Sequence, residues 1–486
     1  MTVPRGSRTP HRPVAAADAW RPRRPEATVL YRTVAGHLAD FLAAAEPADG
    51  RPGLPGFVRR EFRAYLECGI LARGFLRVRC GACREDVLVA FSCKGRGICP
   101  SCGGRRMADA AAHLVDRVLP PVAVRQWVLT LPFRLRFVLA FDRELCRAVR
   151  AVFLDTLLGA LRRRARAQGV ADGRGGAVVV VQRFGGALNL NVHFHALVLD
   201  GVYEPSGPGG RPRFHTARRL RRWELEDVLQ AARARILGLL RRRGKLEPEP
   251  DAEPPGLLDE LAASSITGRE AMRRGAQPGP PPPREPRAFC VEQEGFSLHA
   301  GVSVPGGARQ REALERLCRY VTRPALATER LHERPDGRLE YELRHPWSDG
   351  TTAVVLPPRA LLSRLATLVP PPRAHLLTYH GVLAPASALR AAIVPAGPAR
   401  RSRCRGGPAA AAPRAGRHPW AELLRRVFGL DVLRCPTCGG RRRIVAAITR
   451  GPVIRAILES LGLPADPPVV ASARGPPELS WDAPAE

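Results

Sequence analysis

The feature of this sequence that most restricts its fold is a segment in which apolar and polar residues alternate. Between residues 188 and 198 one set of positions carries Leu188, Leu190, Val192, Phe194, Ala196 and Val198, and the intervening set begins with Asn189, Asn191, His193 and His195. A period of two residues is typical of a β-strand with one face on a core. The pattern therefore predicts a sheet whose apolar face is buried, with both histidines on the opposite face.

The segments around this strand predict an α+β fold class. Residues 124–131 have the composition of a strand, and apolar residues recur at helical spacing from Asp142, a suitable N-cap, to Gly169. Residues 177–184 form a β-branched strand that Gly185-Gly186 separates from the strand 188–199. A further strand at 296–304 and a helix at 309–321 return to the same block. We expect a central antiparallel sheet flanked by helices.

Composition divides the rest of the chain into smaller parts. The boundaries expected are a flexible basic arm (1–30), a helical and zinc-binding domain (31–118), the α+β domain (122–335) with a Pro-rich insertion (244–287), a hairpin-containing extension (336–392), a linker (393–418), a small basic C-terminal module (419–465) and a disordered tail (466–486). Asp349-Gly350 is the expected turn of the hairpin.

Two pairs of cysteines predict a structural zinc site in the N-terminal domain. Cys80 and Cys83 form one C-x2-C pair, and Cys99 and Cys102 follow fifteen residues later as a second. This spacing is typical of four thiolates that hold one zinc ion. Cys68 and Cys93 are additional candidates, and the alternative is a set of buried free cysteines.

A third pair, Cys435 and Cys438, could belong to a second zinc site. It has no obvious partner pair in the sequence, and Cys404 and His418 are the nearest candidates. Three arginines follow it, Arg441, Arg442 and Arg443, which we interpret as phosphate-binding residues of a basic module.

The net charge of the chain indicates a polyanionic partner. It carries 77 Lys and Arg against 45 Asp and Glu, a net charge of +32. Nucleic acid fits this surplus first and an acidic membrane surface second. No uninterrupted apolar stretch reaches the roughly 18 residues of a transmembrane helix, and no phosphate-binding G-x-x-x-x-G-K-[ST] loop is present. The N-terminus also lacks the apolar region of a signal peptide.

The two histidines of the alternating strand could bind one divalent metal ion. At positions i and i+2 the histidines His193 and His195 lie about 6.5–7 Å apart along a strand. Gln182, on the preceding strand, is a candidate third ligand: a two-residue turn pairs it with Asn189, and a four-residue loop pairs it with His193. His299 on the strand 296–304 is a rival, and the alternative is that both histidines are merely surface residues.

A tyrosine surrounded by arginines is a candidate nucleophile. Tyr320 lies in the helix predicted at 309–321, with Arg316 and Arg323 one turn away on either side and Arg319 next to it. Guanidinium groups bind phosphates in bidentate fashion. The alternative is a half-buried core tyrosine, since Tyr320 shares a helix face with Ala313 and Leu317.

Several long motifs, in one order from about residue 66 to 465, resemble the rolling-circle insertion-sequence transposases of the ISCR type, a branch of the HUH (His-hydrophobic-His) single-strand endonucleases. The motifs are CGILARGFLRVRCGAC, AFSCKGRGICPSCGGRRM, QRFGGALNLNVHFHALVLDGVY, FSLHAGV, LCRYVTRPALATERL and LTYHGVLAP. The resemblance implies an N-terminal transposase zinc-binding domain and an HUH nuclease domain. It also implies that His193 and His195 bind metal and that Tyr320 is the nucleophile. Arg316 stands where many relatives have a second tyrosine, which favours a one-tyrosine mechanism.

The implied activity is nicking and joining of single-stranded DNA at element ends and targets through a 5′-phosphotyrosine. The expected cofactors are structural Zn²⁺ and catalytic Mg²⁺ or Mn²⁺. The expected partners include a host helicase and the replication machinery, but no membrane, and the expected location is the nucleoid of the cytoplasm. Tyr379, before His380 in LTYHGVLAP, is a reserve nucleophile. The alternatives are a non-catalytic zinc-containing DNA-binding protein and a rolling-circle replication initiator.

Overall fold

A computed structural model describes residues 23–46, 53–207, 210–245, 257–267, 271–275, 289–396 and 418–474. The helices in these residues are α1 (Val29–Ala43), α2 (Gly56–Glu67), α3 (Pro100–Arg117), α4 (Phe133–Phe141), α5 (Arg143–Arg166), α6 (Arg222–Arg242), α7 (Leu257–Thr267), α8 (Arg311–Thr322), α9 (Pro358–Leu368), α10 (Arg390–Ile393), α11 (Trp420–Phe428) and α12 (Gly451–Ser460). The strands are β1 (Phe75–Cys80), β2 (Asp86–Ala90), β3 (Val124–Thr130), β4 (Gly176–Phe184), β5 (Leu190–Leu199), β6 (Gly201–Glu204), β7 (Arg213–Thr216), β8 (Met272–Arg274), β9 (Cys290–Gln293), β10 (Phe296–Val304), β11 (Leu331–Glu333), β12 (Leu339–Glu342), β13 (Ala353–Leu356), β14 (Leu377–Gly381) and β15 (Arg442–Ile448).

These elements form two units. Of the described residues, the smaller unit contains 23–24, 69–91 and 418–467, and the larger unit contains the remainder. None of the described helices is long and apolar enough to cross a membrane.

The larger unit is built on a six-stranded sheet in the order β14-β4-β5-β3-β10-β9. Every neighbouring pair in it is antiparallel. The alternating segment forms β5, in the interior of this sheet between β4 and β3. The predicted α+β class with a central antiparallel sheet is therefore confirmed.

Both faces of the sheet are covered by helices. The predicted apolar face of β5 carries Val192 and Phe194 into a core shared with residues of α4, α5, α6 and α7. On the other face, Leu197 and Leu199 continue the histidine side of β5 into a second core with residues of α3 and α8. The histidine face is thus enclosed by helices, because the odd-numbered positions of β5 become apolar after His195.

Local sequence signals account for two of the helix starts. The Oδ1 atom of Asp142 accepts a hydrogen bond from the backbone N–H of Leu145 at 2.8 Å, so Asp142 is the N-cap of α5 as predicted. Helix α3 begins at Pro100. A proline is well suited to the first turn of a helix because its missing N–H has no intrahelical partner there.

Part of the predicted insertion 244–287 belongs to the core. Residues 246–256, 268–270 and 276–288 lie outside the described residues, but α7 between them buries Ala262. The hydroxyl of Ser265 also accepts a hydrogen bond at 3.0 Å from the backbone N–H of Leu190, at the start of β5. The interpretation of this whole segment as a surface insertion was wrong for α7.

The predicted hairpin and the predicted tail have different outcomes. β12 and β13 pair as an antiparallel hairpin, as expected. In the tail, by contrast, the N–H of Ala471 donates to the carbonyl of Ala35 at 3.0 Å, and the N–H of Arg474 donates to Asp40 at 2.6 Å. The expectation of disorder was therefore wrong for residues 471–474, while residues 475–486 lie outside the described residues.

The smaller unit joins residues from both ends of the chain. Its sheet has the order β15-β1-β2, with β15 antiparallel to β1. Its buried cluster consists of Phe75, Ile454 and Leu458. The basic C-terminal segment is thus not a separate module as predicted, because β15 completes a sheet that the β1–β2 hairpin begins.

Candidate metal and nuclease site

His193 and His195 lie on the α8 side of β5, with ring centroids 4.8 Å apart. The Nδ1–H of His193 donates to the carbonyl of Asn191 at 2.9 Å, which leaves the Nε2 lone pair available. Burial lowers the pKa of His193 to about 4. The ring is therefore neutral at physiological pH, the form in which histidine binds a metal.

His195 is buried with only 4% of its surface exposed. Burial holds its pKa well below the usual range, so it too is neutral. Its Nδ1 atom lies 2.6 Å from the side-chain amide of Gln126 on β3. Its Nε2 atom is buried and has no hydrogen-bond partner among the described residues. A buried polar nitrogen without a partner carries a desolvation cost that a metal ligand bond would offset.

Gln126 was not predicted from the sequence. It is 2% exposed in a strand, VRQWVLTL, whose alternate positions on the same side are apolar or threonine. A polar residue at a buried strand position was the signal that could have found it. Rotation of its amide by 180° presents either oxygen or nitrogen to His195, so Gln126 can pair with the tautomer that leaves Nε2 free.

Gln182 is placed opposite His193 by the register of β4 and β5. Neither of the two loops considered is found: Phe184 pairs with Leu190, so residues 185–189 connect the strands, and a register shift between Gln182 and Phe184 brings Gln182 opposite His193. The Nε2 of Gln182 donates to the carbonyl of Val321 at 2.8 Å, which fixes the amide orientation. Its Oε1 is then buried without a hydrogen-bond partner in the described part of the chain.

His299 is farther from the pair than Gln182. It opposes Val128 on β3, which in turn opposes His195 on β5. Two strand spacings separate it from His195, or about 10 Å between backbones. Gln182, on the strand directly next to β5, is the better placed candidate for a third ligand.

Tyr320 lies at the end of α8 with its ring near the histidines. The centroids of the Tyr320 and His195 rings are 6.2 Å apart, edge to face. The residue is 39% exposed, so a substrate can reach it, and the alternative of a core tyrosine is disfavoured. The guanidinium of Arg323 lies 4.3 Å from the Tyr320 ring centroid and that of Arg344 lies 5.6 Å from it. Arg344, distant in sequence, was not predicted.

The other residues predicted near Tyr320 differ in their surroundings. Arg316 forms an ion pair at 3.2 Å with Glu312 on the exposed side of α8, and Arg319 is half-buried on the same helix. Tyr379, on the edge strand β14, pairs with Val178 of β4, so it lies two strands across and two residues along from His195. These offsets correspond to about 12 Å between backbones. Tyr379 is therefore more remote from the histidines than Tyr320.

The structure groups eight cysteines in a way that differs from the predicted quartet. Cys68, Cys93, Cys99 and Cys102 form one cluster, and Cys80, Cys83, Cys435 and Cys438 form another. The four predicted cysteines are thus divided between two clusters, and both cysteines considered additional belong to the first.

The division follows from the local secondary structure. Cys80 ends strand β1, about 17 Å from its start at Phe75, and Cys83 follows in the hairpin turn. Cys99 is the N-cap of α3, and Cys102 lies in its first turn. In this first cluster the sulfurs of Cys68 and Cys99, and of Cys93 and Cys102, are 3.5 Å apart. A tetrahedron with zinc–sulfur bonds of 2.3 Å has edges of about 3.8 Å, so these spacings suit one zinc ion.

The arginines after Cys438 do not all face the same way. Arg442 is buried and its guanidinium lies 3.3 Å from the carboxylate of Glu85, whereas Arg441 and Arg443 are exposed. Residues 441 and 443 point to the opposite side of the strand from residue 442. The structure therefore removes Arg442 from the predicted phosphate-binding set and leaves the other two available. Of the partners considered for Cys435 and Cys438, His418 is not in the cluster and Cys404 lies outside the described residues.

Comparison with known proteins matches two regions of the chain to families. Residues 176–390 match the family described as "Putative transposase", and residues 37–131 match the family described as "Transposase zinc-binding domain". The chain is also similar to the transposase for insertion sequence element IS801 of Pseudomonas savastanoi pv. phaseolicola, at 24% identity over 390 residues, which cover 79% of this chain and 82% of that protein. No solved structure matches.

The two family matches fit the geometry. The zinc-binding match contains all four cysteines of the first cluster, and together they support Zn²⁺ as a metal of this protein. The transposase match contains β4, β5 and α8, the elements that carry Gln182, the histidine pair and Tyr320. The resemblance to zinc-containing transposases that the motifs indicate is therefore confirmed.

Proposed function

We propose that this protein is a DNA transposase that nicks and joins single-stranded DNA at element ends through a covalent bond to Tyr320. The observation that carries the proposal is the position of Tyr320, exposed at the end of α8 with its ring 6.2 Å from that of His195. This is the arrangement expected of an HUH-type endonuclease with one tyrosine.

The ligands that we propose for a divalent ion are His193, His195 and Gln182. His193 offers Nε2 because its Nδ1–H donates to Asn191, and Gln182 offers Oε1 because its Nε2 donates to Val321. His195 offers Nε2 when the amide oxygen of Gln126 accepts from its Nδ1–H. A bound Mg²⁺ or Mn²⁺ would polarise the scissile phosphate as a Lewis acid. Because Val321 follows Tyr320 in α8, Gln182 also ties the metal site to the helix of the nucleophile.

The proposed reaction conserves the phosphodiester bond. The phenol oxygen of Tyr320 bonds to phosphorus as its proton leaves to solvent, the bond from phosphorus to the 3′ oxygen breaks, and that oxygen takes up a proton to give a 3′-OH. The product is a 5′-phosphotyrosine. Attack by another 3′-OH on this phosphotyrosine reverses the steps and joins two strands, so the exchange needs no nucleotide hydrolysis.

Arginines near Tyr320 support a phosphate-bearing substrate. Arg323 and Arg344 place two guanidinium groups around the Tyr320 ring. We infer that both hold phosphates next to the scissile bond, with Arg316 and Arg319 as further contacts along α8. A cavity of about 350 Å³ continues from Arg323 past Gln182 and Phe184, and it could accept a nucleotide of an unpaired strand.

The test is covalent capture of a 5′-labelled or 3′-labelled single strand that carries the element terminus. With Mn²⁺ present we expect a labelled adduct only when the label lies 3′ of the nick, because a 5′-phosphotyrosine joins the protein to that part of the strand. Tyr320→Phe should abolish the adduct, and Tyr379→Phe should retain it. An adduct with Tyr320→Phe, or its loss with Tyr379→Phe alone, would refute our assignment of the nucleophile.

The same assay separates the alternative functions. A non-catalytic DNA-binding protein would retain the strand without a covalent bond under every condition. A replication initiator would form the adduct but prefer an origin of an adjacent replicon over the element ends. We expect covalent capture with a preference for the ends.

A further inference from the structure

The cluster of Cys80, Cys83, Cys435 and Cys438 carries an inference beyond the nuclease function. Its sulfur atoms are 3.5 Å apart for Cys80 and Cys438 and 3.7 Å apart for Cys83 and Cys435. These distances are close to the edge of about 3.8 Å in a tetrahedral zinc site with four thiolates. They also exceed the length of a disulfide bond, near 2 Å, and all four cysteines are free.

The backbone around the cluster is built for two facing C-x2-C turns. The N–H of Gly81 donates to the carbonyl of Arg441 at 3.0 Å, and the N–H of Cys435 donates to the carbonyl of Gly440 at 2.8 Å. Strand pairing places Cys80 opposite Arg442. A Cβ atom on Gly440 would lie only 3.1 Å from the sulfur of Cys80 and 3.2 Å from that of Cys438, so the absence of a side chain allows the close approach.

The smaller unit has a small apolar cluster. Its buried residues are Phe75, Ile454 and Leu458, and small domains commonly depend on a metal or disulfides for stability. Its two segments are also far apart in sequence, since 352 residues separate Cys83 from Cys435. A shared ion would hold them together in a way that neither segment could achieve alone.

We propose that Cys80, Cys83, Cys435 and Cys438 bind one zinc ion that makes the two ends of the chain a single folded unit. The protein then holds two zinc ions, the other being bound by Cys68, Cys93, Cys99 and Cys102. The region matched to a zinc-binding domain ends at residue 131, so this second site is complete only with ligands from beyond that region.

The test counts zinc bound to the purified full-length chain by elemental mass spectrometry. We expect two ions per wild-type chain and one in Cys80→Ser/Cys83→Ser. Cys435→Ser/Cys438→Ser should also hold one, and the combined four-site variant should still hold one, because both pairs bind the same ion. The matched control Cys146→Ser/Cys290→Ser, at cysteines outside both clusters, should hold two.

The ion that remains serves as a folding control for the variants. Replacement of zinc by Co²⁺ should give the absorption of tetrahedral thiolate coordination, halved in each pair variant. Two ions in Cys435→Ser/Cys438→Ser, or none in the four-site variant while its nuclease unit still unfolds cooperatively, would overturn the proposal. The proposal would also be overturned if the four-site variant lost as many zinc ions as the two pair variants lose together.

Discussion

Gln126 offers a sharp prediction about the proposed metal site because its side chain contacts His195 directly. The two side chains are 2.6 Å apart and both are buried, at 2% and 4% exposure. Gln126→Leu keeps the approximate volume but removes the hydrogen bond to Nδ1. The imidazole then loses its fixed tautomer and orientation, and Nδ1 is left buried without a partner.

The expected loss of metal affinity in Gln126→Leu follows from the role of residues that support a metal-binding histidine. Loss of a partner behind a metal-binding histidine typically lowers metal affinity 10- to 100-fold, or about 1.4–2.7 kcal/mol. In Gln126→Leu we therefore expect the Mn²⁺ concentration for half-maximal adduct formation to rise by about that factor. The rate at saturating Mn²⁺ should stay within a few-fold of wild type, since Tyr320 and its arginines are untouched.

A second readout avoids dependence on catalysis. A bound ligand stabilises the folded state in proportion to the logarithm of its concentration over Kd. The thermal shift produced by a fixed Mn²⁺ concentration should therefore shrink in Gln126→Leu and be retained in the control Gln126→Glu, whose carboxylate accepts the Nδ1–H bond. An unchanged Mn²⁺ midpoint and thermal shift in Gln126→Leu would refute our assignment of Gln126 as a positioning residue.

Three further predictions concern the cap of α5, the pH dependence of stability and the charge around Tyr320. Asp142→Ala should lower the free energy of unfolding by about 1 kcal/mol in urea titrations because Leu145 loses its cap, and Asp142→Asn should change it by only a few tenths. Burial lowers the pKa of His380 to about 4, so its contribution to stability is present above about 6.5 and is lost as the pH falls toward 4. Between pH 7 and pH 4.5, the free energy of unfolding from urea titrations should fall by about 1–2 kcal/mol less in His380→Gln than in wild type. An equal fall would contradict this. Arg344→Ala should slow adduct formation roughly 5- to 10-fold through loss of a charge-assisted contact, whereas Arg309→Ala, which removes an exposed charge before the other end of α8, should not.

The sequence alone was sufficient for features that depend on a few consecutive residues. The alternation around His193 and His195 predicted the strand, Asp142 predicted the start of α5, and the C-x2-C spacing predicted that the two cysteines of each pair lie in the same cluster. In each case the period of the backbone or a local hydrogen bond decides the geometry, so the neighbouring residues contain the information.

The tertiary structure decided every feature that depends on which distant segments meet. It placed Gln182 opposite His193 through the register shift between Gln182 and Phe184, and it brought Gln126 and Arg344 close to the histidines and Tyr320 from other elements. It also paired Cys80 and Cys83 with Cys435 and Cys438 instead of Cys99 and Cys102. A C-x2-C turn aims two sulfurs in one direction whichever pair faces it, and only the pairing of β15 with β1 determines that the facing pair comes from the far end of the chain.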